Sequence, residues 1–423
     1  MTPGTLALTD QEQRMLAGED GQAKQFTMRI LCQMAVCMGA SKLIKIRSAH
    51  IDGCLFNGQA SLDFAERVLA AGGQVSVPTT LNVGTLDLIH PELFRGTPSL
   101  AQNGKALMQL YIDLGCQPSF TCAPYQLAKR PSFGEHIAWA ESNAIVFANS
   151  VLGARTNRYG DFIDLCAAVT GLVPFTGLHT DEGRRAQHVF KLEDFSDSLL
   201  EQETFYAALG LFIGRYTEKR IPVVVGLPQG VHEDWLKSLG AASATSGSVG
   251  LFHAVGVTPE AATLSDALQH QPAERTQAVT PTDLKQIIAS LTTAEETELS
   301  AVCLGTPHFS LPEFERLMRL LEPYDAPCKV EFYINTGRAI LKQLEKKGYT
   351  ETLSSLGINL VIDTCTYITP IIRNLGGVMM TNSGKWAYYA PGNLGVKVAF
   401  GSLEDCVKSA FLGSVTRDET VWS

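Results

Sequence analysis

The tightest constraint on the fold is the exchange of short β-branched or apolar runs with amphipathic stretches, which becomes regular from Glu298 onward. ELSAVCLG, CKVEFYIN, INLVIDTC, GGVMMTNS and VKVAFG read as strands; LPEFERLMRLLE, TGRAILKQLEKKG and SLEDCVKSAFL read as helices. A strand that returns through a helix joins its sheet parallel to its predecessor, so this order implies an α/β chain with mainly parallel sheets flanked by helices. Upstream the alternation is looser: SKLIKIRSAHID, GQVSVPTT, IPVVVGLP and GSVGLFHAVGV suggest strands, and SLDFAERVLAAGG and HEDWLKSLGA helices. Thr9 with Glu12 spells a capping box, and Pro259 suits the first turn of a helix in TPEAATLSDALQ. No internal repeat is visible. The length of 423 residues predicts two or three lobes, divided here into 1–205 and 206–423, with the polar stretch QHQPAERTQAVTPTD as another possible boundary.

A net charge of -9 argues against general affinity for nucleic acid or anionic membrane, and no apolar run is long enough to span a bilayer. MTPGTLALTDQEQ has neither a basic head nor an apolar signal core, so a cytoplasmic location is expected. In such a chain the ten cysteines are expected as reduced thiols or metal ligands rather than disulfides. Cys32, Cys37 and Cys406 sit in helical runs and read as small core residues.

Cys122, Cys303 and Cys365 differ from these: each follows a run read as a strand and precedes a loop containing proline. Ligands gather at the carboxyl ends of strands in open α/β sheets, so the three can meet around one metal; the alternative is three core thiols. IKIRSAHIDGC places His50 and Asp52 at a similar end, as a proton-transfer pair or a satisfied buried histidine. TNSGKWAYYAPG adds Asn382, Ser383, Lys385 and Tyr388, while His308 reads as a metal neighbour or a loop cap. The loop after IVFANS concentrates Asn149, Ser150, Gly153, Arg155, Thr156, Asn157 and Arg158. Arg155 offers a planar fork for a carboxylate and the amides and hydroxyls neutral bonds, with Arg158 left to the surface or a partner.

HIDGC, SFTCAPY, NSVLGARTNRYGD, HAVGVTPEA, DTCTY and NSGKWAYYAPG, in this order, resemble the large part of aconitase X, a branch of the aconitase superfamily. The resemblance spans nearly the whole chain and implies an aconitase-like multi-lobed architecture. It also implies a hydro-lyase with an iron or iron–sulfur centre, carried over to Cys122, Cys303 and Cys365. Family members pair this part with a small swivelling one, fused or separate. Because no second domain follows the segment resembling the end of the large part, a separately encoded small subunit is expected, bringing the catalytic base. Bacterial members dehydrate cis-3-hydroxy-L-proline to Δ1-pyrroline-2-carboxylate, and archaeal ones dehydrate mevalonate 5-phosphate. The absence of an extra Lys/Arg cluster and the overall likeness to bacterial members favour the amino acid. On this reading Arg155, with Asn149, Ser150, Thr156 and Asn157, holds the substrate carboxylate. Ser383 and Lys385 assist, and His50 and Asp52 serve the departing oxygen. A non-catalytic metal-binding scaffold and a tricarboxylic-acid dehydratase are the competing readings; against the latter, the close cysteine pair of aconitases proper is missing.

Overall fold

The computed structural model describes residues 6–422; Met1–Thr5 of the N-terminal segment read above lie outside them. Three sheets of three or more strands define three lobes. In the first, β1 (Leu43–Lys45), β2 (Ala49–Ile51), β3 (Thr79–Leu81), β4 (Ala138–Trp139) and β5 (Leu172–Pro174) form a parallel sheet β3-β2-β4 and an antiparallel pair β1-β5. SKLIKIRSAHID therefore contributes two strands to two sheets. The second lobe holds β6 (His188–Leu192), β7 (Pro222–Val225), β8 (His253–Ala254) and β9 (Arg275–Val279) in the order β8-β7-β6-β9, all parallel. The third holds β10 (Leu299–Leu304), β11 (Glu331–Asn335), β12 (Ile358–Val361), β13 (Val378–Thr381) and β14 (Lys397–Phe400), parallel in the order β12-β11-β10-β13-β14.

The last sheet winds outward in both directions from β10, so chain direction across the sheet reverses between β10 and β13. Loops diverge there and leave a crevice beyond the strand ends. Its helices match their sequence signals. Ser310 with Glu313 and Ser402 with Asp405 close capping boxes, as Thr9 with Glu12 does at the N-terminus. The expected start at Pro259 is displaced: the helix is Leu264–Ala267, boxed by Thr263 and Asp266.

The lobes share one interior. Helix Glu203–Thr217 is almost wholly buried and lies along helix Glu233–Ser246, where a methyl on Gly210 would overlap the Leu239 carbonyl. Around this pair Val146, Phe190, Val224, Tyr333 and Trp386, from all three lobes, form one core. A boundary after residue 205 would cut the first of these helices, and the alternative polar stretch contains β9. That strand reads as a linker because it lies at the sheet's edge with most side chains exposed or half-exposed.

Candidate active site

A cavity of about 420 Å³ opens beyond the carboxyl ends of β2, β4 and β12, where loops of the first lobe meet Thr306, Cys365 and Lys385 of the third. It is not the largest concavity. One of about 890 Å³ lies beyond β14 beside Lys285 and Asp405, but no cysteine or histidine lines it.

One wall carries an ion pair. Lys385 Nζ is 2.6 Å from Glu141 Oε1 and 3.3 Å from Ser142 Oγ. Two helix starts bring them together. Glu141 caps helix Ser142–Ser150 by accepting from the Ala144 N–H at 3.0 Å, and Ser383 caps helix Gly384–Leu394, whose second residue is Lys385. Burial disfavours the ammonium, but the Glu141 carboxylate together with the Tyr367 and Cys122 side chains outweighs it and holds the Lys385 pKa well above its ordinary value. Glu141 escaped the sequence reading, although an acidic residue directly before a helix was a usable signal.

Beside this pair lies Asp52, one residue past β2. Its carboxylate accepts from the Asn82 amide, and its backbone N–H donates to Asp164 Oδ2 at 2.8 Å. Burial, reinforced by the Glu141 and Asp161 carboxylates, pushes its pKa up to about 7. His50 points elsewhere. It is fully buried beneath the strand, its Nδ1 is 2.8 Å from Thr80 Oγ1, and burial lowers its pKa to about 3. The expected His50–Asp52 pair is therefore not formed: the imidazole does not reach the cavity.

Cys122 and Cys365 line the cavity floor, and a nitrogen of His308 lies within 4.8 Å of both thiols. The His308 backbone N–H donates to Cys122 Sγ at 3.2 Å. Its ring Nδ1 is 3.0 Å from Thr121 Oγ1, and Nε2 is 3.4 Å from the Thr364 carbonyl. A hydrogen bond with Cys122, then burial, lifts the Cys365 pKa well above the ordinary thiol value; burial lowers His308 to about 4. Two buried thiols beside a neutral imidazole form a donor set that fits a borderline or soft metal ion.

Cys303 does not join them, which corrects the expected trio. It lies inside β10, where alternate residues face opposite sides. Val302 and Leu304 enter the core of the third lobe, whereas Ala301 and Cys303 enter the shared interior with Tyr333 and Trp386. His308, in the loop beyond β10, takes the third position. Cys122 is close to the centre but follows no strand: Phe120, with φ 40°, breaks the extended chain before it, and a 3₁₀ turn follows at Pro124–Gln126.

The proposed anion loop is also corrected: its polar groups bind the protein. Asn149 donates to the Thr156 and Gly250 carbonyls and accepts from Arg184; Ser150 accepts from the Phe252 N–H. Thr156 caps the end of β4 through the Trp139 N–H, and Asn157 spans Thr176 and Leu178. Arg155 pairs with Asp181 and reaches the His179 carbonyl at 3.2 Å. None of these five lines the cavity, whereas Arg158 does, exposed and without an ion pair among the described residues. Ser383 bonds the Thr306 carbonyl and faces an adjoining cleft, as does Asn382. Arg155→Lys is accordingly expected to leave the Michaelis constant unchanged while lowering stability by about 1 kcal/mol, measured by steady-state kinetics and denaturant melts.

Three α/β lobes, with a cavity between the first and the third that gathers a thiol pair, an imidazole and a buried lysine–glutamate pair, outline an aconitase-type hydro-lyase. The chain belongs to the aconitase X family: the aconitase X first, second and third domains match residues 5–182, 186–313 and 299–412. It is 42% identical to the cis-3-hydroxy-L-proline dehydratase of Pseudomonas aeruginosa over 97% of this chain and 71% of that protein. The corresponding figures for the Hypocrea jecorina enzyme of the same name are 41%, 96% and 69%. The phosphomevalonate dehydratase large subunit of Thermococcus kodakarensis is 35% identical, with 95% of this chain and 99% of that one covered. The crystal structure of Thermococcus kodakaraensis aconitase X in its holo-form superposes with a TM-score of 0.86 at 34% identity, covering 96% of this chain and 100% of that one.

Proposed function

We propose that this chain is the cavity-bearing part of a dehydratase that converts cis-3-hydroxy-L-proline to Δ1-pyrroline-2-carboxylate. The observation that carries the reaction type is the placement of Asp52 and the Lys385–Glu141 pair on the same cavity as Cys122 and Cys365. The substrate follows the more similar relatives, at 41–42% identity against 35% for the phosphomevalonate enzyme.

Loss of water requires removal of a weakly acidic proton next to the carboxylate and departure of a hydroxyl. Lys385 and Arg158 bind the carboxylate and stabilise the charge that spreads into it as the proton leaves. Asp52, titrating near neutrality, gives a proton to the departing oxygen. Cys122 and Cys365, with His308 as third donor, would hold iron or an iron–sulfur cluster, which supplies Lewis acidity toward that hydroxyl when bound. The proline dehydratases extend beyond the 71% and 69% of their length that this chain matches, and the phosphomevalonate relative is named a large subunit. A small completing part is therefore assigned the base and the closing of the cleft. No described helix is long and apolar enough to cross a membrane.

The test is to assay the iron-loaded protein, with its small part, on both candidate substrates. Turnover of cis-3-hydroxy-L-proline is expected. Turnover of mevalonate 5-phosphate alone would move the chain to the other branch, and iron binding without any turnover would make it a scaffold. Asp52→Asn should lower kcat about 10²-fold and remove the limb near pH 7 from the rate profile. It should also change stability. The native pKa of Asp52 lies above its ordinary value of 3.8, so the native state favours the protonated carboxyl, and ionisation costs stability as pH rises from about 4 through about 7. Asp52→Asn avoids that cost, so its melting temperature should gain on the wild type at pH 8 relative to pH 4.

A further inference from the structure

Two acceptors on the cavity wall are not engaged by another side chain among the described residues. The Asn82 amide presents Nδ2 to the Asp52 carboxylate, which fixes its orientation, and its Oδ1 is left buried without a hydrogen-bond partner. Asn82 is only 5% exposed, so water does not readily replace that partner, and a buried unpaired acceptor is costly. Asp161 lines the same cavity near Asp52 and forms no ion pair among the described residues. On the cationic side, Lys385 is shared with Glu141, while Arg158 has no ion pair among the described residues. The groups left open are thus an anion receiver at Arg158 and a cation receiver at Asp161 and Asn82 Oδ1.

We infer that Asp161 and Asn82 Oδ1 each accept one N–H of the ring ammonium of a cyclic secondary amino acid, and so select a zwitterion over a phosphorylated anion. This rests on the hydroxyproline reading above and gives it a structural cause. A prolinium nitrogen carries two N–H donors, matching two empty acceptors. A phosphate in that position would meet the Asp161 carboxylate, and like charges at close quarters exclude a competitor more effectively than a missing contact does.

The experiment uses the iron-loaded protein with its small part and two non-reacting probes, L-proline and cyclopentanecarboxylate, which differ only in the ring atom that bears the charge. Titration calorimetry should show the wild type preferring L-proline at least about tenfold, as a charged hydrogen bond allows. Asp161→Asn, at an exposed position without an ion pair among the described residues, should fold normally and bring the ratio close to one. Asn82→Ser should reduce it partly. With cis-3-hydroxy-L-proline as substrate, Asp161→Asn should raise KM about tenfold while kcat changes much less. An unchanged probe ratio in Asp161→Asn, in a wild type that dehydrates cis-3-hydroxy-L-proline, would overturn the ammonium site and leave the proposed reaction intact. A wild type that turns over only mevalonate 5-phosphate would overturn both.

Discussion

Cys365→Ser is expected to fold and yet to retain neither bound iron nor measurable turnover. Serine fills nearly the same space in the pocket formed by Val83 and Cys122, so the packing penalty should stay near 1 kcal/mol. What it removes is the soft donor. A hydroxyl stays protonated where a thiol can ionise, and iron favours sulfur in such a site. Lewis-acid assistance is worth several kcal/mol of barrier, which corresponds to a loss of about 10³-fold or more. Iron content by elemental analysis, read beside a thermal melt, separates loss of the metal from loss of the fold. Cys303→Ser is the control. Because that thiol lies in the shared interior with Tyr333 and Trp386, its variant should be modestly less stable and keep its iron. Loss of iron in Cys303→Ser as well as in Cys365→Ser would restore the ligand set expected from the sequence.

The contrast between these two cysteines shows where sequence reading stops. The third lobe is legible because its strands are four to six residues long and alternate with boxed, amphipathic helices. In the first lobe β2 is three residues long and β4 two, too short for a period to declare itself. Even in β10, a cysteine near a strand end looks the same whichever face it takes, and only the sheet's packing sends Cys303 inward. The loop from Asn149 to Asn157 misled for another reason. Its amides and hydroxyls are matched to carbonyls and N–H groups as distant in sequence as Gly250 and Phe252, and no local pattern reveals that they are already occupied. Asp52 and Lys385 reach the cavity because each lies just beyond a strand end, a relation that spacing does convey. The pairing of Lys385 with Glu141 joins helix starts 244 residues apart and emerges only when the lobes close on each other.

Lys385→Met should reduce kcat/KM by about 10³-fold, because it deletes the fixed cation that stabilises charge developing on the substrate carboxylate. The methionine keeps the apolar stem, so the space beside Tyr367 remains filled. The same change also leaves Glu141 buried without its partner, which typically costs about 3–5 kcal/mol, so lost activity alone would not distinguish a chemical role from a structural one. Adding Glu141→Gln makes the distinction. Glutamine retains an oxygen to accept from the Ala144 N–H and preserve the helix cap, while it removes the stranded charge. Replacing both members of a buried ion pair is often nearly neutral for stability. The double variant should therefore melt close to the wild type and remain about 10³-fold less active. Recovery of turnover together with stability would reduce Lys385 to a strut for the cavity wall. Recovery of stability alone would show that the ammonium acts on the substrate, because every contact needed to hold the two helix starts together would then be in place without it.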